Sequence, residues 1–289
     1  MRVCLMIEGQ EGVTWPEWVA LAQATEEAGL EGLFRSDHYR AIGRGDPNGS
    51  LDAWATLAGL AEVTERIRLG TMVSPVTFRP ASALAKNVVT VDHISNGRVE
   101  LGIGAGWYEA EHETYGFPFG TQRDRLDELD RQLAEIIRQW TEADDVWPKP
   151  VQRPHPPVIV GGRAKPRTVR AAIAHADEYN TVFPTLAEAR ERRVILDEAA
   201  AEAGRSPLTF SMMIGCVAGR DEDDLRRRLA SYRDVTGSES PPLAGTVDEL
   251  ADRLREFEGA GVERVMLQHL VHEDVEMVHV LGELAARLR

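Results

Sequence analysis

Eight short apolar runs, each followed by an amphipathic segment, recur from one end of this 289-residue chain to the other. Parallel strands need a long crossover between them, so this alternation is what βα units in a parallel sheet require. The runs predict strands over 3–7, 32–35, 67–72, 99–103, 158–160, 179–182, 210–217 and 265–268. Helical periodicity predicts helices over 15–28, 51–64, 81–94, 123–140, 166–175, 186–203, 222–235, 247–259 and 275–288. Thr14 ahead of Trp15-Pro16 is an expected N-cap, and Ala28-Gly29 an expected stop. Two architectures satisfy the alternation, a closed (β/α)8 TIM barrel and an open doubly wound sheet. The count of eight and the lack of a linker favour the barrel, as one α/β domain over 1–289 with loop insertions at its C-terminal face.

Composition narrows the partners. Asp and Glu outnumber Lys and Arg by 47 to 33, a formal charge of -14 without a long basic run, which argues against nucleic acid and anionic membranes. No apolar run reaches the length of a membrane span, and the N-terminal run is too short for a signal peptide, so the expected compartment is the cytoplasm. Cys4 and Cys216 fall inside apolar runs and read as core residues.

In a barrel the site lies at the C-terminal strand ends, so the chain nominates its own candidates. Ser36-Asp37-His38-Tyr39 follows the second run, Thr71-Met72-Val73-Ser74 the third and Ala105-Gly106-Trp107 the fourth. Gly161-Gly162-Arg163 follows the fifth, Asn180-Thr181 the sixth and Gln268-His269 the eighth. His38 is the candidate for proton chemistry near neutral pH. Asp37 beside it points to the opposite side of an extended chain, so it tunes the surroundings and is not a direct partner.

Gly102, Gly104 and Gly106 bare the backbone to a flat or phosphorylated ligand. Glu109 stands where a third fingerprint glycine belongs, which argues against a nicotinamide site. Gly161-Gly162 precedes Arg163, Lys165, Arg167 and Arg170 at a helix start, an arrangement suited to a phosphate. His269 and His272 have helical ligand spacing without an acidic third ligand at motif distance, and no metal site is expected. No GxSxG elbow is present and neither cysteine ends a strand, which disfavours nucleophilic hydrolysis. Paired carboxylates for glycoside chemistry stay open. Glu109, Glu111 and Glu113 read as a solvated loop or helix start.

Five segments in the same order, SDHY at 36–39, LGTMVSPVTFRPA at 69–81, DHISNGRVELGIGAGWYEAEHETYG at 92–116, RPHPPVIVGG at 153–162 and ADEYNT at 176–181, carry a likeness to a known family. The chain resembles the bacterial luciferase-like monooxygenases, most closely the branch that uses the deazaflavin coenzyme F420. The resemblance implies a (β/α)8 barrel, an F420-dependent oxidoreductase, and a homodimer. FMN is the alternative cofactor and implies monooxygenation; a non-catalytic flavin or deazaflavin carrier is a further reading. It also implies that His38 lies against the ring with Asp37 beside it, and that a non-prolyl cis peptide at Met72-Val73 forms a bulge behind the ring. Ala105, Gly106 and Trp107 flank the ring or its ribityl chain by the same likeness, Val160, Gly161, Gly162 and Arg163 hold the phosphate, and Asn180 is a recurrent position. Two departures stand out. The segment TEADDVW at 141–147 is shorter than in many relatives, and Ala105 and Trp107 replace the threonine and glutamate of the family's sugar-phosphate dehydrogenases, so a sugar phosphate is not the expected substrate.

Overall fold

The computed structural model describes residues 1–43 and 49–289; the expected roof segment 36–50 therefore lies partly outside the described residues. Among the described residues ten strands form the sheet: β1 (Arg2–Ile7), β2 (Gly32–Arg35), β3 (Arg68–Thr71), β4 (Ser74–Pro75), β5 (Val99–Gly104), β6 (Val158–Gly162), β7 (Glu178–Val182), β8 (Thr209–Gly219), β9 (Leu243–Thr246) and β10 (Arg264–Gln268). Pairing is parallel throughout, and β10 pairs with both β8 and β1, which closes the ring β1-β2-β3-β5-β6-β7-β8-β10. Closure decides for the barrel against the doubly wound sheet. The eight ring strands fall on the eight predicted runs. β4 and β9 are additions, pairing with β5 and with the far end of β8; β4 is two residues long and β9 reads LAGT, with no apolar run to mark it.

Helices wrap the ring: α1 (Trp15–Glu27), α2 (Ala53–Glu62), α3 (Ala81–Ile94), α4 (Glu109–Tyr115), α5 (Gln122–Thr141), α6 (Pro166–His175), α7 (Leu186–Glu202), α8 (Glu222–Thr236), α9 (Val247–Glu258) and α10 (Glu276–Arg287). α1 starts as expected: Thr14 caps it in a reciprocal box, its backbone N–H and hydroxyl both donating to Glu17 Oε2. Thr121, Thr185 and Thr246 repeat the device at α5, α7 and α9.

Side-chain alternation along each strand builds two cores. Val3, Leu5 and Ile7 of β1 join Leu33, Leu101 and Val160 in the layer packed against helix residues such as Leu21, Leu57, Leu133 and Leu281. Cys4 and Met6 instead point to the barrel interior, with Phe34, Met72, Ile159, Met213 and Met266. Below them is a charged layer. Arg264 Nη2 lies 2.7 Å from Glu100 Oε2 and 2.7 Å from Glu178 Oε2, all three fully or nearly buried. Both cysteines are free and buried, as expected of core residues. Among the described residues no helix is long and apolar enough to cross a membrane. The interior is thus filled from the base upward, and open space is left at the C-terminal strand ends.

Candidate functional site at the barrel mouth

That space is a cavity of about 1610 Å³ lined by residues that follow strand ends around the ring. Ligand pockets for single drug-sized molecules run to roughly 300–1,000 Å³, so this mouth has room for a ring cofactor and a second small molecule.

His38 enters the cavity from the end of β2. Its Nδ1 lies 2.7 Å from Glu111 Oε1, and Glu111 Oε2 accepts the backbone N–H of Tyr39 at 3.0 Å. Trp107 and Tyr108 meet the imidazole edge-on, with ring centroids 5.9 and 6.2 Å away. Burial alone would lower the His38 pKa, but the Glu111 hydrogen bond and charge, followed by the charges of Glu8 and Asp37, outweigh it and raise the pKa. The carboxylate occupies Nδ1, which leaves Nε2 as the nitrogen for a ligand.

Glu111 corrects the sequence reading, which left it in a solvated loop or helix start. It sits on α4 and is 1% exposed. Its neighbour His112 is equally buried, with Nδ1 2.7 Å from the Tyr108 carbonyl and Nε2 2.6 Å from Thr77 Oγ1. The helical spacing of Tyr108, His112 and Tyr115, closed by Gly116 at φ 73°, is the signal that marks this helix.

Asp37 diverges from His38, as adjacent residues on an extended chain do. It is buried, does not line the cavity, and accepts from Ser74 Oγ and Arg79 Nη1 at 2.6 Å each. Arg79 also reaches Asp52 Oδ2 at 2.7 Å, so Asp37 ties together the loops that follow β2 and β3.

The Met72-Val73 peptide is cis. Val73 fills a slot between glycines: a Cβ on Gly104 would lie 2.7 Å from Val73 Cγ2, and one on Gly161 would lie 3.1 Å from Val73 Cγ1. Gly162 is bounded differently, by Tyr179 Oη at 2.5 Å from an added Cβ. The wall across β3, β5 and β6 is therefore bare backbone with one apolar boss, a surface that fits a flat ring. Ala105, Gly106 and Trp107 continue it, and Trp107 is 62% exposed and stacked on Tyr108 at 5.3 Å.

At the β6 end Gly161, Gly162 and Arg163 line the cavity, whereas the Val160 side chain is fully buried in the helix-facing core. The rest of the expected basic cluster turns away. Arg167 pairs with Asp127 and Arg170 with Asp130 on α5, and Lys165 is the N-cap position of α6. Asn180 faces the cavity from β7 and donates to Ser211 Oγ at 2.8 Å.

Sequence reasoning passed over the end of β1, although the barrel rule that selected the other strand ends applies to it equally. Glu8 lines the cavity there, its Oε1 accepting from Gln268 Nε2 at 2.6 Å and its Oε2 from Gln10 Nε2 at 2.8 Å. Ser36 Oγ in turn donates to Gln10 Oε1 and accepts from Gly9 N–H. Glu11 Oε1 accepts from the backbone N–H groups of Ile42 and Gly43 at 2.9 and 3.0 Å. The two histidines read for spacing part company. His269 is buried with Nε2 3.1 Å from the Asp274 carbonyl, and burial lowers its pKa to about 4. His272 lies at the cavity edge, 3.8 Å from Glu17 Oε1 and from Glu273 Oε1.

The sequence profile of the luciferase-like monooxygenases matches residues 2–242. Uncharacterised proteins of Mycobacterium bovis and Mycobacterium tuberculosis are 36% identical over 174 residues, covering 55% of this chain and 59% of theirs. The FMNH2-dependent dimethylsulfone monooxygenase of Pseudomonas putida is 25% identical over 223 residues, covering 73% of this chain and 60% of that one. The matches thus span about three fifths of these relatives' length. Among solved structures, an F420-dependent secondary alcohol dehydrogenase in complex with an F420-acetone adduct superposes with a TM-score of 0.81 over 100% of this chain and 99% of that one. At 17% identity this likeness is one of fold.

Proposed function

This chain belongs to the luciferase-like monooxygenase family, and on that premise we propose that it is an oxidoreductase using F420 to exchange a hydride with a small organic substrate. The observation that carries the reading is the His38–Glu111 pair: a histidine with a raised pKa stands in the cavity beside a bare, flat wall. When bound, the deazaflavin supplies the hydride donor or acceptor. Val73, Gly104 and Gly161 offer the flat surface for its ring, and Arg163 with the backbone of Gly161 and Gly162 offers the anion end. Protonated His38, held through Nδ1 by Glu111, delivers a proton from Nε2 to the substrate oxygen or nitrogen that gains charge during reduction, and takes it back in the reverse direction. Asp37 acts at a distance, by fixing the loops on which His38 stands.

FMN-dependent monooxygenation is the second reading, favoured by the sequence likeness to the FMNH2-dependent enzyme of Pseudomonas putida. Titrating the purified protein with F420 and with FMN separates the two. Tight F420 binding, with oxidation of the reduced deazaflavin on addition of a substrate, is the expected result. Binding of FMN with none of F420 would overturn the first reading.

A further inference from the structure

The mouth is electrostatically lopsided. β1 and β6 lie across the ring from one another, four strands apart in either direction. Among the described residues the Lys or Arg lining the cavity is Arg163, at the β6 end, while Glu8, Glu11 and Glu273 line it around the ends of β1 and β10. Glu8 and Glu11 are satisfied by neutral donors, the amides of Gln10 and Gln268 for one and backbone N–H groups for the other. The cavity histidines are engaged by other acids, His38 bonded to Glu111 and His272 facing Glu17 and Glu273, and the charge of Glu8 reaches His38 and the buried Arg35 only through space.

Glu8 is the best placed of these carboxylates. Two side-chain amides fix both of its oxygens, and Ser36 fixes one amide in turn, so its position is set before a ligand arrives. A carboxylate has about four lone-pair sites, and the two amides use two of them. The donors bonded to this anion are neutral and, among the described residues, no cation is hydrogen-bonded to it, which leaves it open to a charge-assisted bond with a ligand cation. We infer that Glu8 is the anchor of a substrate subsite for a cationic nitrogen, the ammonium or amidinium group of a small organic molecule, on the β1 side of the mouth. The same wall repels carboxylate and phosphate substrates, so it selects by exclusion as well as by attraction. This assignment rests on the proposed function only in giving the opposite, β6 end to the cofactor's anionic group.

The test compares three probes of one shape, benzylamine, benzyl alcohol and benzoate. Binding is measured by saturation-transfer NMR on the protein alone and after loading with F420 or FMN. Benzylammonium should bind about tenfold or more tightly than the alcohol, with benzoate weakest, and Glu8→Gln should erase the preference without changing cofactor affinity. In the wild-type protein the preference should shrink as salt rises from about 50 to about 500 mM, a readout that stands even where the variant fails to fold. Equal binding of the three probes, no binding of any, a salt-independent preference, or a preference that survives Glu8→Gln would overturn the inference. Failure of both cofactors to bind while the amine preference persists would instead overturn the cofactor reading alone.

Discussion

Glu111 Oε1 rests 2.7 Å from His38 Nδ1 across 73 residues of sequence, with the carboxylate 1% exposed and its second oxygen on the Tyr39 backbone N–H. One side chain thus orients the imidazole, supports its protonated form and pins the loop that carries it. The short helix α4 exists to bring that carboxylate back over the strand ends.

Glu111→Gln keeps the shape of the pair and removes its charge. The His38 pKa should fall, and the limb of the pH–rate profile that reports it should move to lower pH, as read from the imidazole C2 proton by NMR and from kcat/KM. The effect on stability has a definite sign. A histidine whose folded pKa is raised above 6.5 adds stability that is full below about 6.5 and is lost as pH rises through the folded value. Urea denaturation should therefore show wild type and Glu111→Gln differing more at about pH 5.5 than at about pH 8.5. An unmoved His38 resonance would disprove the coupling.

His38→Ala should lower kcat by roughly 10²–10⁴-fold if the imidazole handles the proton, with cofactor affinity changed little. His38→Asn, which retains a hydrogen-bonding group without a titrating one, should recover little of the rate. A rate within a factor of about ten of wild type in both variants would mean that solvent supplies the proton, and the pH dependence of kcat/KM should then be unaltered.

What could be read from the chain, and what could not, divides by range of interaction. The ring strands, the Thr14 cap and the divergence of Asp37 from His38 follow from local periodicity and chain geometry, and each was legible. The role of Glu111 was not, because nothing local distinguishes it from Glu109 and Glu113; only the return of α4 over β2 buries one and leaves the others wet. Glu8 sits at a strand end that the barrel rule covers, so its position was readable, but its clamping by Gln10 and Gln268 depends on β1 meeting β10, at 260 residues' separation. The basic run after β6 misled for a related reason: Asp127 and Asp130 on α5 claim Arg167 and Arg170, and sequence does not show which neighbour a surface cation will find.

Gly104→Ala should crowd Val73, since the new Cβ would stand 2.7 Å from Val73 Cγ2. Overpacking of this kind typically costs about 1–3 kcal/mol. Val73→Ala makes room, so the double variant should be more stable than the sum of the single effects, and a denaturation cycle should return a coupling of about 0.5–3 kcal/mol. Strict additivity would show that the glycine answers to something other than Val73. Gly102→Ala is a harsher control: its Cβ would meet the Thr71 carbonyl oxygen, a backbone atom that a side-chain truncation cannot move.

The charged layer beneath the cavity makes the last prediction. Arg264 is 1% exposed and bridges Glu100 and Glu178, so its removal strands Glu178 and leaves Glu100 to Arg68 alone. Arg264→Met should therefore cost about 3–5 kcal/mol, the usual penalty for breaking a buried ion pair from one side. Glu178→Gln should cost far less, because Arg264 retains Glu100. The two carboxylates also differ in what pH does to them. Burial, against the pull of Arg264 and helped by the charge of Glu100, raises Glu178 to about 7, while Arg264 and Arg68 outweigh burial at Glu100 and lower it. Glu178 thus prefers its proton in the folded barrel more than in the unfolded chain. Its contribution to stability is full below about 4.5, its ordinary value, and is lost as pH rises through about 7. Glu178→Gln abolishes that dependence, so the stability of the variant relative to wild type should rise between about pH 5 and pH 7.5. Urea titrations of both proteins across that range check the sign, and a relative stability that falls with pH would place the proton on the other member of the pair.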